Sequence, residues 1–127
     1  MKILVVDDDP EIGQALRIRF EPAGFDVEVA HNGGEALARF QDEMPDLVIL
    51  DISMPGEDGF SVFRRMREAY PMDEIPVLFL SAHRTIPNWI HALKDGACEF
   101  IEKPYDGEKL VYAARQALAR TTSPSTP

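Results

Sequence analysis

The sequence predicts a three-layer α/β domain in which helices cover both faces of a five-stranded parallel sheet. Short apolar runs alternate along the chain with segments of helical periodicity. Three of these runs are continuously apolar, which is typical of parallel strands that are buried on both faces. A chain of 127 residues is long enough to bury one such core but not two. We therefore expect a single domain.

Five apolar runs are interpreted as strands, and five periodic segments as the helices that follow them. The strands are Ile3-Leu4-Val5-Val6, Val27-Glu28-Val29, Leu47-Val48-Ile49-Leu50, Val77-Leu78-Phe79-Leu80 and Phe100-Ile101. The helical positions are Ile12, Ala15, Leu16 and Phe20; Ala36, Leu37 and Phe40; Phe63, Met66 and Tyr70; Ile86, Trp89, Ile90 and Leu93; and Leu110, Ala114, Ala117 and Leu118.

Helix boundaries are indicated by capping residues. Asp9 before Pro10 predicts an N-cap with proline at the first helical position, and Asn32 with Glu35 predicts a capping box. Gly24 and Gly96 suit helix ends. These local signals agree with the periodicity.

Composition excludes several classes of function. The chain has 22 acidic and 13 basic residues and a net charge of −9, so this domain should not bind nucleic acid or anionic membranes directly. There is no long apolar run, and Met1 leads straight into the first strand without the features of a signal peptide. The single cysteine, Cys98, is interpreted as a small core residue and fits a reducing compartment. We expect a cytoplasmic location.

Chemically distinctive residues follow the apolar runs. Asp7, Asp8 and Asp9 follow the first strand, Asp51 the third, Ser81 the fourth and Lys103 the fifth. In open α/β sheets, ligands bind outside the carboxyl ends of the strands, so these residues should share one rim.

Clustered carboxylates repel unless a cation lies between them, which predicts a Mg²⁺ site. Asp8 and Asp51 suit its ligands, with Asp7 nearby or bound through water, whereas Asp9 is better explained as a helix cap. Lys103 and Ser81 would offer a positive charge and a hydroxyl to a phosphate, leaving Asp51 as the nucleophile.

The three histidines, His31, His83 and His91, have no metal-ligand spacing. They are interpreted as ordinary surface or loop residues, and no zinc site is proposed.

Four motifs in order resemble the receiver domains of two-component response regulators. They are Ile3-Leu4-Val5-Val6-Asp7-Asp8-Asp9-Pro10, Leu50-Asp51-Ile52-Ser53-Met54-Pro55-Gly56-Glu57-Asp58-Gly59, Leu80-Ser81-Ala82 and Phe100-Ile101-Glu102-Lys103-Pro104. The resemblance covers residues 1 to 120 and is greatest to receivers attached to helix-turn-helix transcription factors. It implies the doubly wound, flavodoxin-like sheet with strand order 2-1-3-4-5.

The resemblance also implies roles for individual residues. Asp51 would be the phosphoacceptor, served by Lys103 and the switch hydroxyl of Ser81. Mg²⁺ would be held by Asp7, Asp8, Asp51 and the backbone carbonyl of Ser53. Phe100 occupies an aromatic switch position where tyrosine is commoner. Because phenylalanine has no hydroxyl group, only the packing of its ring could differ between the phosphorylated and unphosphorylated states.

The implied function is a phosphoacceptor switch rather than an enzyme. Asp51 would take a phosphoryl group from a phosphohistidine of a sensor histidine kinase or phosphotransfer protein, with Mg²⁺ and Lys103 neutralising charge. The loop after Ser81 would then move, and Phe100 would turn inward. The face formed by the fourth predicted helix, the fifth strand and the last helix would change shape.

The same resemblance bears on assembly and domain limits. Trp89 and Ile90 would belong to a face through which the chain forms a homodimer on phosphorylation, although core packing explains them equally well.

The receiver domain is predicted to span residues 1–120. Residues 121–127 are polar and proline-rich, so they are interpreted as a disordered tail or the start of a linker to an output domain.

Two alternatives come from other classes. A haloacid dehalogenase-type phosphatase would use the Asp-x-Asp pattern at Asp7 and Asp9, but it leaves Asp51 unexplained. A receiver-like docking module that is never phosphorylated usually lacks an acid, the acceptor or the lysine, and this sequence has all of them.

Overall fold

The computed structural model describes residues 1–52, 59–69, 75–81, 98–102 and 106–122. The strands are β1 (Lys2–Val6), β2 (Asp26–Ala30), β3 (Leu47–Asp51), β4 (Val77–Ser81) and β5 (Cys98–Glu102). The α-helices are α1 (Pro10–Phe20), α2 (Gly33–Asp42), α3 (Gly59–Ala69) and α4 (Gly107–Thr122), and a 3₁₀ turn spans Glu21–Ala23. All five predicted strands are confirmed.

The predicted helices are confirmed wherever the structure describes them. The helix expected from Ile86, Trp89, Ile90 and Leu93 lies outside the described residues, so α4 corresponds to the fifth predicted helix. Helix α4 ends at Thr122, two residues beyond the predicted domain limit, and residues 123–127 lie outside the described part. The limit at residue 120 stays a prediction.

The five strands form one parallel sheet in the order β2-β1-β3-β4-β5, as the resemblance implied. The order reverses at β1, which lies between β2 and β3. Val6, the last residue of β1, is paired with Ala30 of β2 and Leu50 of β3. This register brings the residues that follow β1, β2 and β3 to the same edge of the sheet.

Two apolar clusters, one on each face of the sheet, confirm the three-layer prediction. Residues of α2 and α3 pack on one face over Leu4, Val6, Val48 and Leu50. Residues of α1 and α4 pack on the other face over Ile3, Val5, Leu47 and Ile49. Adjacent strand residues point to opposite faces. The continuous apolar runs thus supply both clusters.

The predicted helix boundaries are confirmed at three places. Asp9 is the N-cap of α1, and its carboxylate accepts a hydrogen bond from the backbone N–H of Glu11 at 2.9 Å. Asn32 is the N-cap of α2 and accepts from Glu35 N–H at 2.9 Å. Gly24 ends the 3₁₀ turn with φ of 99°. Gly96 lies outside the described residues.

Lys2 ties strands and helices together at the amino end of the sheet, opposite the predicted rim. Its Nζ donates to Glu28 of β2 at 2.8 Å and also to Glu43, which follows α2. Its backbone N–H donates to the Asp46 carboxylate at 2.7 Å. The hydrogen bonds to Glu28 and Glu43 raise the pKa of Lys2.

No helix in the part of the chain that the structure describes is long and apolar enough to cross a lipid bilayer.

Close packing between α1 and β2 depends on the absence of a side chain at Gly13. A Cβ there would lie 2.8 Å from Val29 Cγ1 and 3.3 Å from Val29 Cγ2. The branched valine side chain has few rotamers with which to escape. We expect Gly13→Ala to lower the free energy of unfolding by about 1–3 kcal/mol, because overpacking outweighs the gain in helix propensity of about 0.5–1 kcal/mol.

A double-mutant cycle with Val29→Ala tests this by urea denaturation. The Gly13→Ala/Val29→Ala protein should be clearly more stable than the sum of the two single changes predicts. Additive effects would show that Val29 is not the residue that excludes a side chain at position 13.

Candidate acidic site at the carboxyl rim of the sheet

Three of the predicted carboxylates meet at the carboxyl rim. Asp7 follows Val6 at the end of β1, and Asp51 follows Leu50 at the end of the neighbouring strand β3. One carboxylate oxygen from each of Asp7, Asp8 and Asp51 lies within 4.8 Å of the other two. The β1–β3 register therefore produces the acidic cluster that the sequence predicts.

The three carboxylates lie in different surroundings. Asp7 and Asp51 are almost fully buried, with 1% and 4% of their surface exposed, whereas Asp8 is exposed. Burial disfavours a charged carboxylate, and neighbouring negative charges add to that cost. A hard cation that binds oxygen ligands would offset both effects.

Hydrogen bonds fix Asp7 in the loop between β1 and α1. Its backbone N–H donates to the Ala30 carbonyl at 3.0 Å, which extends the β1–β2 pairing by one residue. Its carboxylate accepts from Asp9 N–H at 2.9 Å. Asp9 also caps α1, as predicted, so this aspartate links the helix start to the acidic cluster.

His31 is exposed in the turn after β2, in line with its interpretation as a surface or loop residue, and its ring also contacts the backbone of Asp7. His31 Nδ1 lies 3.3 Å from the Asp7 carbonyl oxygen, and His31 N–H donates to Glu35 Oε1 at 3.1 Å. The other oxygen of Glu35 accepts from the Asn32 side chain at 3.4 Å. In the predicted capping box the Glu35 carboxylate would instead have accepted from the N-cap backbone. The strand order could have indicated the contact, since it places the end of β2 beside Asp7.

The backbone at the end of β3 and just after it packs against the start of α3. Ile52 N–H donates to the Leu80 carbonyl at 3.0 Å, and Gly59 N–H donates to the Ile52 carbonyl at 3.5 Å. A Cβ at position 59 would lie 2.5 Å from the Asp51 carbonyl oxygen and 2.6 Å from Ile52 Cα. Only glycine lets α3 approach the Asp51 backbone this closely.

Phe100, the predicted switch residue, is partly buried in a group of phenylalanine rings. It stacks on Phe79 of β4 with a centroid distance of 5.0 Å and an interplanar angle of 18°. Its centroid is 6.3 Å from that of Phe60, the residue after Gly59. Phe63 meets Phe79 edge to face at 5.2 Å. Phe60 and Phe79 were not predicted as neighbours of the switch position.

Several predicted site residues cannot be placed in this way. Ser53, Lys103, Trp89 and Ile90 lie outside the described residues. Ser81 is the last residue of β4, at the same rim, but its side chain is outside the described part. Their roles stay predictions.

Comparison with known proteins identifies the family. The family model described as the response regulator receiver domain matches residues 3–115. The chain belongs to this family. The receiver domain thus carries the acidic cluster at the rim where its sheet order reverses.

Relatives and solved structures agree with this assignment. The chain is 37% identical over 122 residues to the transcriptional regulatory protein TrcR of Mycobacterium tuberculosis, covering 96% of this chain and 47% of that protein. It is 38% identical over 120 residues to the DNA-binding dual master transcriptional regulator RpaA of a Synechocystis strain, covering 94% and 50%. The chain therefore spans about half the length of these curated relatives.

The fold is shared with a receiver domain of known structure. A CheY-like response regulator receiver domain protein from Methanospirillum hungatei matches with a TM-score of 0.83 and 26% identity, covering 95% of both chains. This receiver domain is therefore part of the response regulator family in fold as well as in sequence.

Gly59→Ala tests the close contact between the start of α3 and the backbone of Asp51 and Ile52. Because the added Cβ would meet backbone atoms, which cannot rotate away, we expect the free energy of unfolding to fall by about 2 kcal/mol or more. Urea denaturation measures this change. Gly34→Ala is the control, since a Cβ there has an ordinary contact of 3.4 Å with Asn32 Oδ1. Equal stability of the two variants would contradict the packing argument.

Proposed function

We propose that this receiver domain accepts a phosphoryl group onto Asp51 in a Mg²⁺-dependent reaction. The acidic cluster of Asp7, Asp8 and Asp51 at the carboxyl rim is the observation that carries the proposal. The donor would be a phosphohistidine of a sensor histidine kinase or of a phosphotransfer protein. Family membership supports this partner class.

The residues present fit a magnesium ion. Oxygens bound directly to one Mg²⁺ lie at most about 4.2 Å apart, since each bond is about 2.1 Å long. The three carboxylate oxygens lie within 4.8 Å of one another, so side-chain rotation or a bridging water would bring them to one Mg²⁺. Asp8 and Asp51 would be ligands, Asp7 a ligand or a water-mediated one, and the Ser53 carbonyl an additional ligand. Bound Mg²⁺ would neutralise charge on the phosphoryl oxygens.

In the proposed reaction, a carboxylate oxygen of Asp51 attacks the phosphorus in line with the bond to the donor nitrogen. The O–P bond forms as the P–N bond breaks, and the electron pair of that bond stays on the departing imidazole. The hydrogen bonds that hold Asp7 and the β3–α3 backbone would keep the cluster in place during transfer. Lys103 would pair with the phosphoryl oxygens, and the Ser81 hydroxyl would move toward them afterwards. These last two roles rest on the family resemblance.

Phosphorylation of Asp51 would also alter the packing of the phenylalanine rings next to the site. Phe100 stacks on Phe79 and lies near Phe60, whose helix begins against the Asp51 backbone. Turning of Phe100 would therefore alter packing against α3 as well as the surface that includes Trp89 and Ile90. A homodimer formed through that surface on phosphorylation belongs to the same proposal.

The output would be transcriptional control in the cytoplasm. TrcR and RpaA are named as transcriptional regulators, and the chain matches about half of each. A helix-turn-helix output domain in a longer protein would supply DNA binding, which the net charge of −9 makes unsuitable for this domain. The phosphatase alternative is not favoured, because the family match explains Asp51 and that alternative does not.

Phosphorylation is tested by intact mass after incubation with acetyl phosphate and Mg²⁺. We expect a gain of one phosphoryl group that disappears in Asp51→Asn and when the metal is chelated. Asp42→Asn, an exposed change on α2, is the matched control and should be phosphorylated normally. No gain by the folded wild-type chain would favour the docking module. Steady release of inorganic phosphate by Asp51→Asn would favour the phosphatase.

Metal binding is tested separately by thermal unfolding with and without Mg²⁺. At a concentration tenfold above its dissociation constant, an ion that binds only the folded state adds about 1.4 kcal/mol. We expect the unfolding temperature to rise by about 4–6 °C. Asp8→Asn removes one ligand and should abolish most of the increase. An undiminished increase in Asp8→Asn would mean that Mg²⁺ binds elsewhere.

A further inference from the structure

The two peptide groups that flank Asp7 both contact the end of β2, and the second of them is the Asp7–Asp8 peptide. Asp7 N–H donates to the Ala30 carbonyl at 3.0 Å, and the Asp7 carbonyl lies 3.3 Å from His31 Nδ1. Ala30 and His31 are consecutive residues. The contact through Ala30 uses backbone atoms only, whereas the contact to the carbonyl depends on the side chain at position 31.

The contact to the Asp7 carbonyl requires a donor. A carbonyl oxygen only accepts hydrogen bonds, so His31 must donate from Nδ1. Both the neutral tautomer protonated at Nδ1 and the imidazolium provide that N–H. The contact is consequently available in either charge state.

The imidazole is attached to a firmly capped helix start. His31 N–H donates to Glu35 Oε1 at 3.1 Å, and Glu35 N–H donates to Asn32 Oδ1 at 2.9 Å. Neither bond uses the His31 side chain, so both would survive a change of that side chain. The His31 ring thus extends from the start of α2 to the loop after β1.

Asp8 is the member of the acidic cluster that most needs such a constraint. Asp7 and Asp51 are buried, so surrounding atoms restrict them, but Asp8 is exposed. The Asp7 carbonyl belongs to the peptide that leads into Asp8. Fixing the plane of this peptide therefore restricts the direction in which the Asp8 side chain leaves the backbone.

We propose that His31 is a positioning residue, which holds the Asp7–Asp8 peptide so that the Asp8 carboxylate converges with Asp7 and Asp51 on the metal. This inference rests on the metal site proposed above and adds a residue to it. The His31 contact is at the long end of hydrogen-bond distances. We expect its loss to weaken Mg²⁺ binding by roughly 3- to 10-fold, less than a typical loss of a group bonded directly to a ligand atom.

Isothermal titration with Mg²⁺ on the wild-type chain, His31→Leu and His31→Asn tests the proposal. Leucine removes the donor, whereas the asparagine Nδ2 is separated from Cβ by the same number of bonds as the imidazole Nδ1. We expect the dissociation constant to rise roughly 3- to 10-fold in His31→Leu and to return to within about 2-fold of wild type in His31→Asn. Unfolding in urea with chelator should be unchanged in both variants.

Two controls separate this inference from the metal site itself. Asp8→Asn should lose most Mg²⁺ binding, and its failure to do so would contradict the metal site rather than the role of His31. Gln41→Leu, an exposed change on α2, should bind Mg²⁺ like wild type. The proposal is overturned if His31→Leu binds Mg²⁺ with wild-type affinity. It is equally overturned if the metal-free protein is destabilised and His31→Asn does not restore binding.

Discussion

The pairing of β1 with β3 is the constraint on which the acidic cluster depends. Val6 lies opposite Leu50, so the residues that follow, Asp7 and Asp51, emerge side by side. Both strands are buried on both faces, with Ile3 and Leu47 among the residues that have no exposed surface. A shift of one residue would exchange the side chains on the two faces, so packing strongly specifies the register. The chemistry at the rim is thus positioned by apolar contacts that include no site residue.

The backbone at the end of β3 connects the site to phenylalanine rings of β4 and β5 on the α3 face of the sheet. Gly59 places the start of α3 against the Asp51 backbone, and the next residue, Phe60, lies in the ring group of Phe79 and Phe100. Aromatic rings in such groups pack in preferred relative orientations, so moving one ring disturbs the others. A change at Asp51 therefore has a short physical route to β5 through α3, in addition to the route through Ser81 that the family resemblance implies.

The strands and helix starts could be predicted from the sequence because the patterns that indicate them lie within short stretches of the chain. Continuous apolar runs predicted the buried strands, and Asp9 and Asn32 predicted the helix starts. The contacts of His31 and Phe60 were missed because they depend on which strands are neighbours. His31 has no metal-ligand spacing of its own, and only the position of β2 beside β1 brings it to Asp7. Long-range neighbours of this kind leave no periodic pattern.

The unequal burial of the three carboxylates separates Asp7 and Asp51 from Asp8. Asp7 and Asp51 lie where surrounding atoms restrict their motion, and a buried charge there gains more from a nearby cation than an exposed one does. Asp8 is exposed, so packing restricts its side chain less. If the proposed metal site exists, it combines two buried carboxylates with one accessible carboxylate through which a hydrated ion would enter. In that proposed site, the backbone on each side of Asp8 would position the third ligand, and this backbone lies where the ends of β1 and β2 meet.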